Sequence, residues 1–329
     1  MQIKAHRQST ARRRALLAAC AALLAAPAQA QDKFPSKPIT YVVAYSAGSS
    51  PDITARMTAE RLAKRVGQQV IVENKPGASS TIGTLYVARS RPDGYTFMHG
   101  GPTALSTAPA LIKDLPYDPL KDFSAITIHT EGYYVLLAGP QEKGLTLAQL
   151  LERMPKTPER YSVGGQSIST EILNYMLGNG KVPGNTYVRY TTEATLTSDL
   201  LGGRLTLAYA TISAGLAQLS GGKIHAVAVS SPKRLPSLPD VPTMAEAMSG
   251  SGLANYSGLY LPARTPRPVV DFLYTHLSAI LQEPDLVKRT TAAGSVVLLS
   301  TPEESDAYMR RENPKWIRAI KEANIQPES

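Results

Sequence analysis

The chain has 329 residues, 43% of them hydrophobic and 19% charged, enough for two α/β domains or one large one around a sizeable core. Its formal charge of +9 is no nucleic-acid signature. Of 35 Lys and Arg, five (Lys4, Arg7, Arg12, Arg13 and Arg14) precede residue 31 with no acidic residue among them, which leaves 30 against 26 Asp and Glu. The single cysteine, Cys20, lies in that same segment, so the remainder can form no disulfide, thiolate nucleophile or Cys-ligated metal site.

Residues 1–30 read as a secretory signal peptide: a basic start, an apolar run from Ala15 to Ala26, and Ala28-Gln29-Ala30 as a small-x-small site with cleavage after Ala30. The expected location is periplasmic. The run is too short to span a bilayer, and no later segment reaches the ~18 apolar residues that a spanning helix needs. Leu17-Ala18-Ala19-Cys20 has the form of a lipoprotein box, but only Ala15–Leu17 would separate it from Arg14. Arg13-Arg14 is a weak twin-arginine match.

Ile39–Tyr45 has the β-branched and aromatic density of a buried strand. Ser46-Ala47-Gly48-Ser49-Ser50 follows, and Pro51 and Asp52 are helix-start signals. Ala55, Ala59, Leu62, Ala63 and Val66 then fall at helical spacing, with Gly67 as the stop. A strand that empties through small residues into a helix N-terminus presents backbone N–H groups at the positive end of a helix dipole, which suits an anion. Gln69–Glu73 is the next expected strand, Ile82–Ser90 a helix, and Tyr95–His99 a third strand after the turn Arg91-Pro92-Asp93-Gly94. This order predicts a parallel sheet flanked by helices. Phe123–His129 and Tyr133–Ala138 read as further strands.

A second unit of the same design begins at Tyr161–Val163. It continues through Gly164-Gly165-Gln166-Ser167-Ile168-Ser169 into a helix from Thr170 to Leu177. Expected next are strands at Thr186–Tyr190, Leu205–Ala210, Ile224–Ser230 and Tyr256–Leu261, with a helix at Thr195–Leu201. Helices then fill Pro268–Gln282, Asp285–Ala293 and Pro302–Ala323. In open α/β sheets ligands bind at the carboxyl ends of strands, where such loops lie. Two units presenting facing helix N-termini would grip a molecule with an anionic group at each end. The plainer alternative is that both loops are ordinary connections.

Several ordered motifs carry a resemblance. They are Pro35-Ser36-Lys37-Pro38-Ile39, Gly48-x-x-x-Asp52-Ile53-x-Ala55-Arg56, Val72-Glu73-Asn74-Lys75-Pro76-Gly77-Ala78, Pro92-Asp93-Gly94-Tyr95-Thr96 and Leu115-Pro116-Tyr117-Asp118-Pro119. Leu238-Pro239-Asp240-Val241-Pro242-Thr243 and Tyr260-Leu261-Pro262 continue the series. Together they resemble the Bug (TctC-like) family, the extracytoplasmic solute-binding receptors of tripartite tricarboxylate transporters. The resemblance implies a periplasmic-binding-protein fold, with two α/β domains joined by crossing strands and the ligand in the interdomain cleft. Residues 31–130 with 257–329 would form domain 1, and 131–256 domain 2. It implies a monomer that encloses a small carboxylate and hands it to integral-membrane permease subunits, with no cofactor and no nucleic acid. The matching cleft positions are Ser46, Ala47, Gly48, Ser49 and Ser50 with Tyr45 before them, Gly101 after the third strand, and Gly165, Gln166, Ser167, Ser169 and Thr170. Tyr190, Ala210 and Thr211 complete the set. His99, at the end of a predicted strand, joins them as a cleft candidate or as a satisfied structural histidine.

The departures from the family pattern bear on the ligand. Ser49 stands where a second glycine is usual, Ser46 where proline is, and Ala210 where aspartate is common. Alanine there can neither meet an ammonium group nor bond a hydroxyl, which points to a guest that is apolar between its charged ends. With 16 Tyr against 4 Phe, and Tyr45, Tyr133, Tyr134, Tyr190 and Tyr209 near predicted strand ends, a flat aromatic diacid of the terephthalate or phthalate type fits best. Core packing of most of those tyrosines is the competing expectation. An aliphatic di- or tricarboxylate receptor, and a receptor that feeds a sensor instead of a permease, stay open.

An exported esterase acting through Ser167 or Ser49 is the rival from another class. Gly165-Gln166-Ser167-Ile168-Ser169 breaks the nucleophile-elbow pattern at its last position. No P-loop, HExxH or dinucleotide fingerprint occurs. His99, His129, His225 and His276 show no metal-ligand spacing. Arg189 is expected to be structural, and Asp52 to anchor its helix. Closure of the two domains is expected as a hinge motion near Ile126–Thr130 and Ser249–Tyr256.

Overall fold

The computed structural model describes residues 34–178, 184–248, 254–292 and 294–326. The expected signal peptide, its cleavage after Ala30 and residues 249–253 of the second expected hinge lie outside them. None of the described helices is long and apolar enough to cross a membrane.

The described residues from Lys37 onward belong to one unit built on two sheets. In the first, β1 (Ile39–Val43) runs parallel between β2 (Val70–Asn74) and β3 (Thr96–Gly100). β1 is buried apart from the half-buried Thr40, as befits an inner strand of a parallel sheet; Tyr41 stacks on Phe97 at 4.3 Å. β10 (Asn255–Pro262) lies antiparallel between β3 and the long β4 (Phe123–Gly132), and the short β11 (Ser295–Val297) edges β4. The second sheet has the order β7-β6-β8-β5-β9. Its strands are β5 (Tyr134–Ala138), β6 (Ser162–Gly165), β7 (Thr186–Arg189), β8 (Leu207–Thr211) and β9 (His225–Val229). β6 is parallel to β7 and β8, while β5 is antiparallel to β8 and β9.

The helices are α1 (Ser50–Val66), α2 (Thr81–Ala88), α3 (Ala108–Leu111), α4 (Leu147–Arg153), α5 (Ile168–Leu177), α6 (Glu193–Leu201), α7 (Ile212–Leu219), α8 (Met244–Ala247), α9 (Arg267–Leu281), α10 (Pro284–Ala292) and α11 (Pro302–Glu322). α1 begins and ends on the signals read from the sequence. Ser49 is its N-cap, Pro51 sits in its first turn, and Gly67 takes the left-handed conformation that closes it, at φ +68°.

Only Tyr133 separates β4 from β5, so the chain passes from the first sheet to the second there. It returns at β10, where Asn255 sits opposite Gly132. The expected hinge at Ile126–Thr130 therefore falls within β4. The C-terminal helix reaches the second half as well: Trp316, Ala319 and Ile320 of α11 share a core cluster with Ile172 of α5.

Several elements differ from expectation: β4 runs on to Gly132, α5 starts at Ile168, and α8 (Met244–Ala247) is an added short helix. The first strand stops at Val43, two residues early. α4 forms on a capping box between Thr146 and Gln149, a local signal that hydrophobic patterning does not reveal. β11 is three residues long, too short for its alternation to stand out.

Candidate functional site

The loop after β1 uses much of its own polarity. The Asp52 carboxylate, 2% exposed, accepts the Gly48 N–H at 2.8 Å, the Asn74 side-chain amide at 2.9 Å and the Arg56 guanidinium at 3.1 Å. Burial pushes this carboxyl up, but those hydrogen bonds and the Arg56 charge outweigh it and hold its pKa below the ordinary value. The Ser49 N–H goes to the Ser46 carbonyl at 3.2 Å, and the Ser49 hydroxyl accepts from the Asp52 N–H. Of the expected anion cradle, Gly48 and Ser49 thus have their N–H groups already occupied. Ser46, Ala47, Gly48 and Ser50 are exposed, and Tyr45 and Ser49 are half-buried.

The second loop is tighter. A Cβ on Gly165 would lie 2.3 Å from the Tyr187 hydroxyl and 2.4 Å from Thr170 Oγ1, so only glycine fits. Ser167 caps α5, receiving the Thr170 N–H on its hydroxyl, while Thr170 Oγ1 receives the Ser167 N–H at 3.1 Å. The Thr170 hydroxyl donates to the Ser167 carbonyl and also meets the Tyr187 hydroxyl at 2.8 Å. Thr170 is 1% exposed and serves as a cap, with its hydroxyl turned into the protein. Gln166, Ser167 and Ser169 are half-buried, and Tyr134 Oη lies 3.3 Å from Ser167 Oγ.

A cavity of about 390 Å³ joins Tyr134, Gln166, Ser167 and Ser169 of the second half to Ala78, Ser79, Pro102 and Thr103 of the first. Leu111, Ile112 and Ile168 add apolar wall, Asn255 and Thr107 add polar groups, and no Lys, Arg, Asp or Glu lines it. Any anion held there depends on backbone dipoles and hydroxyls, the α5 N-terminus foremost. None of Ser46–Ser50 lines this cavity. Ser50 and His99 line a different one, described below.

Ala78 and Ser79 are site residues that the sequence reasoning misses. With Ser80 they form three consecutive residues at positive φ (+44°, +51° and +66°) leading into α2. Successive left-handed residues cost a non-glycine chain about 1–2 kcal/mol each. Such strain persists where the surroundings over-determine it, and it clusters at ligand-binding positions. The available signal is the small-residue run Gly77-Ala78-Ser79-Ser80 ahead of a helix, similar in composition to Ser46–Ser50.

Tyr45 ties these loops together. Burial raises its pKa, eased by hydrogen bonds to Thr103 and Ser80, and its hydroxyl lies 3.1 Å from where a Gly101 Cβ would be. Gly101 is thus a close-approach position beneath Tyr45. The remaining expected residues point elsewhere. The Tyr190 hydroxyl donates to Asp199 at 2.7 Å, and burial together with that carboxylate pushes its pKa up to about 12. Ala210 is 3% exposed and packs in the core with Val135 and Leu137, so it cannot select a ligand as its sequence position suggested. Thr211 caps α7, and its N–H goes to Glu193 at 3.1 Å. Of the five tyrosines near strand ends, Tyr134 alone lines the cavity; Tyr133 and Tyr209 are buried. Arg189 pairs with Glu171, as expected of a structural arginine. Among the described residues no cluster of three or more His, Cys, Asp or Glu is placed to hold a metal ion.

Comparison with known proteins places this arrangement. Residues 54–325 match the family described as the tripartite tricarboxylate transporter family receptor (TctC). The chain is 32% identical to a UPF0065 protein of Bordetella bronchiseptica over 95% of its own length and 93% of that protein's. Among solved structures it is similar to the periplasmic binding protein BugD (TM-score 0.67, 32% identity, covering 90% of this chain and 100% of that one). It is also similar to Rpa4515 of R. palustris with adipate (TM-score 0.69, 28% identity, 90% and 100%). MatC of Rhodopseudomonas palustris with bound malate gives a TM-score of 0.67 at 28% identity, over 87% and 100%. These likenesses are to two-domain solute-binding proteins and not to enzymes, and they agree with the two sheets and crossing strands found here. The chain belongs to the TctC family of tripartite tricarboxylate transporter receptors.

Proposed function

We propose that this receptor works in the periplasm, encloses a small dicarboxylate with an apolar centre in the cavity between Ala78–Thr107 and Tyr134–Ser169, and delivers it to membrane permease subunits. The aromatic diacids of the terephthalate type are the preferred guests. One observation carries the reading: the cavity is lined by hydroxyl, amide and apolar side chains and by no charged one. Ser167, Ser169 and Gln166 at the α5 N-terminus provide one polar edge, and the left-handed turn at Ala78–Ser80 provides the other. Pro102, Leu111, Ile112 and Ile168 add apolar lining. A ligand hydroxyl placed against those side chains would go unbonded, at about 1–3 kcal/mol.

Two of the solved relatives bear on this. One is described with malate and one with adipate, both small dicarboxylates. Adipate also has an apolar middle, so a linear aliphatic diacid is the second reading. Export rests on the signal-like residues 1–30.

Thermal denaturation of the protein with a panel of acids tests the proposal, because a ligand that binds only the native state must raise Tm. Terephthalate is expected to raise it most, adipate less, and malate and citrate least. A larger shift with malate or citrate would overturn the apolar-centred preference. If no carboxylate shifts Tm, the receptor assignment to this cavity fails.

A further inference from the structure

A second cavity, of about 630 Å³, lies against the first sheet and shares no lining residue with the cleft cavity. The N-terminus of α1 borders it through Ser50 and Pro51, the end of α10 through Lys288 and Arg289, and the strands that join the two sheets through Thr130 and Ser257. Thr130 and Ser257 face each other in register on β4 and β10.

The charge around this space is unbalanced. Lys288 and Arg289 have no carboxylate partner among the described residues, whereas Asp285, the acidic residue on the rim, is already paired with Arg61. Asp52, in the first turn of α1, is enclosed by its own three donors and does not line the cavity. A 17-residue helix directs its positive end here.

Two buried imidazoles supply the independent sign of a ligand. His99 and His129 both line the cavity, are 3% and 4% exposed, and have Nδ1 atoms with no hydrogen-bond partner. Their rings meet edge to face at 5.3 Å. Burial keeps both neutral, so each retains one N–H to donate. Unmatched buried polar atoms are uncommon in folded proteins, and here two of them belong to residues that line the same cavity.

We propose that this cavity is a second anion site, separate from the carboxylate cleft, and that it takes a small polyanion. Lys288 and Arg289 supply the attraction, and the two histidines supply neutral donors. The positive charge of two side chains with no carboxylate partner among the described residues matches an anion of charge two or more, whether a polycarboxylate or a condensed phosphate.

The test is calorimetric titration of the full protein with citrate and, separately, inorganic pyrophosphate. Wild type is compared with the double variant Lys288→Glu/Arg289→Glu and with Ser169→Trp, which fills the cleft cavity. The expected result is at least tenfold weaker binding in the double variant and less than a twofold change in Ser169→Trp. The ring C–H resonances of His99 and His129 are expected to move during titration of wild type, a readout independent of how the variants fold. Tighter citrate identifies the carboxylate class as the guest, and tighter pyrophosphate the phosphate class. The proposal is overturned if neither probe binds, if the charge reversals leave affinity unchanged, or if the histidine signals stay fixed. Citrate binding lost in Ser169→Trp alone would sink this site and leave the cleft assignment standing. Loss in the double variant alone supports this site whatever becomes of the cleft.

Discussion

Asp52 accepts the N–H of Gly48 at 2.8 Å, closing the loop after β1 onto the helix that follows it. The same carboxylate holds Asn74 at the end of β2, and through Arg56 it secures the first turns of α1. A loop whose composition suggests a vacant anion cradle thus contains a resident anion from its own helix.

Replacing Asp52 with alanine therefore loosens three elements at once. The expected cost is about 2 kcal/mol at pH 7, in line with several charge-assisted hydrogen bonds lost from a buried position. The folded-state pKa lies below the ordinary 3.8, so this stability is present above 3.8 and is lost as pH falls through the folded value. Urea denaturation at pH 7 and near pH 3 checks both parts. The gap between wild type and Asp52→Ala should narrow in acid, and a gap independent of pH would contradict the ionised role.

Gly165→Ala probes the second loop. Its Cβ would meet Tyr187 and Thr170 at well under contact distance, and Thr170 cannot yield without breaking the α5 cap. A destabilisation of about 2–3 kcal/mol is expected from this overpacking. Binding of any carboxylate in the cleft should fall in parallel, because the Ser167 end of α5 must shift. Unchanged Tm together with unchanged binding would mean that the loop relaxes freely.

How much of this is legible in the sequence depends on local chemistry. The two strand–loop–helix units are readable because small-residue loops follow apolar strands, and Pro51 and Gly67 are strong boundary signals whose action is local. The Ser167–Thr170 capping pair starts α5 at Ile168, two residues before the expected Thr170. Ala210 is misplaced for a reason that is also physical. Strand residues alternate faces, so Ala210 shares the Ala208 side of β8, which the core covers, while Leu207 and Tyr209 occupy the other side. The left-handed run at Ala78–Ser80 escapes because alanine and serine carry no left-handed preference, and only tertiary packing imposes it there. Nor can loop composition reveal that the Ser46–Ser50 and Gln166–Ser169 loops line different spaces, since their separation depends on how the crossing strands place the two sheets.

Ser167→Ala separates capping from ligand contact. Loss of the N-cap should cost about 1 kcal/mol. The same change removes a hydroxyl that lines the cavity, so the ligand-induced Tm shift should shrink as well. Ser167→Asp restores a capping oxygen but adds a negative charge. It is expected to recover stability while abolishing carboxylate binding. If Ser167→Asp binds carboxylates as wild type does, the α5 N-terminus is not the anion contact.

The paired histidines predict an acid-sensitive fold. Burial lowers the His99 pKa from 6.5 to about 4, and burial reinforced by the neighbouring His99 lowers that of His129 well below its usual value. The folded protein resists protonation that the unfolded chain accepts, so stability is complete above about pH 6.5 and declines as pH falls toward 4. For His99 alone the loss across that window is roughly 3 kcal/mol. Denaturant midpoints measured between pH 7 and 4.5 should fall steadily in wild type. In His99→Phe, which keeps the ring contacts to Tyr45 and His129 but cannot titrate, the decline should be shallower by about half, with His129 supplying what remains. A variant whose midpoints fall as steeply as those of wild type would show that His99 is charged in the folded protein, or is not the group that titrates.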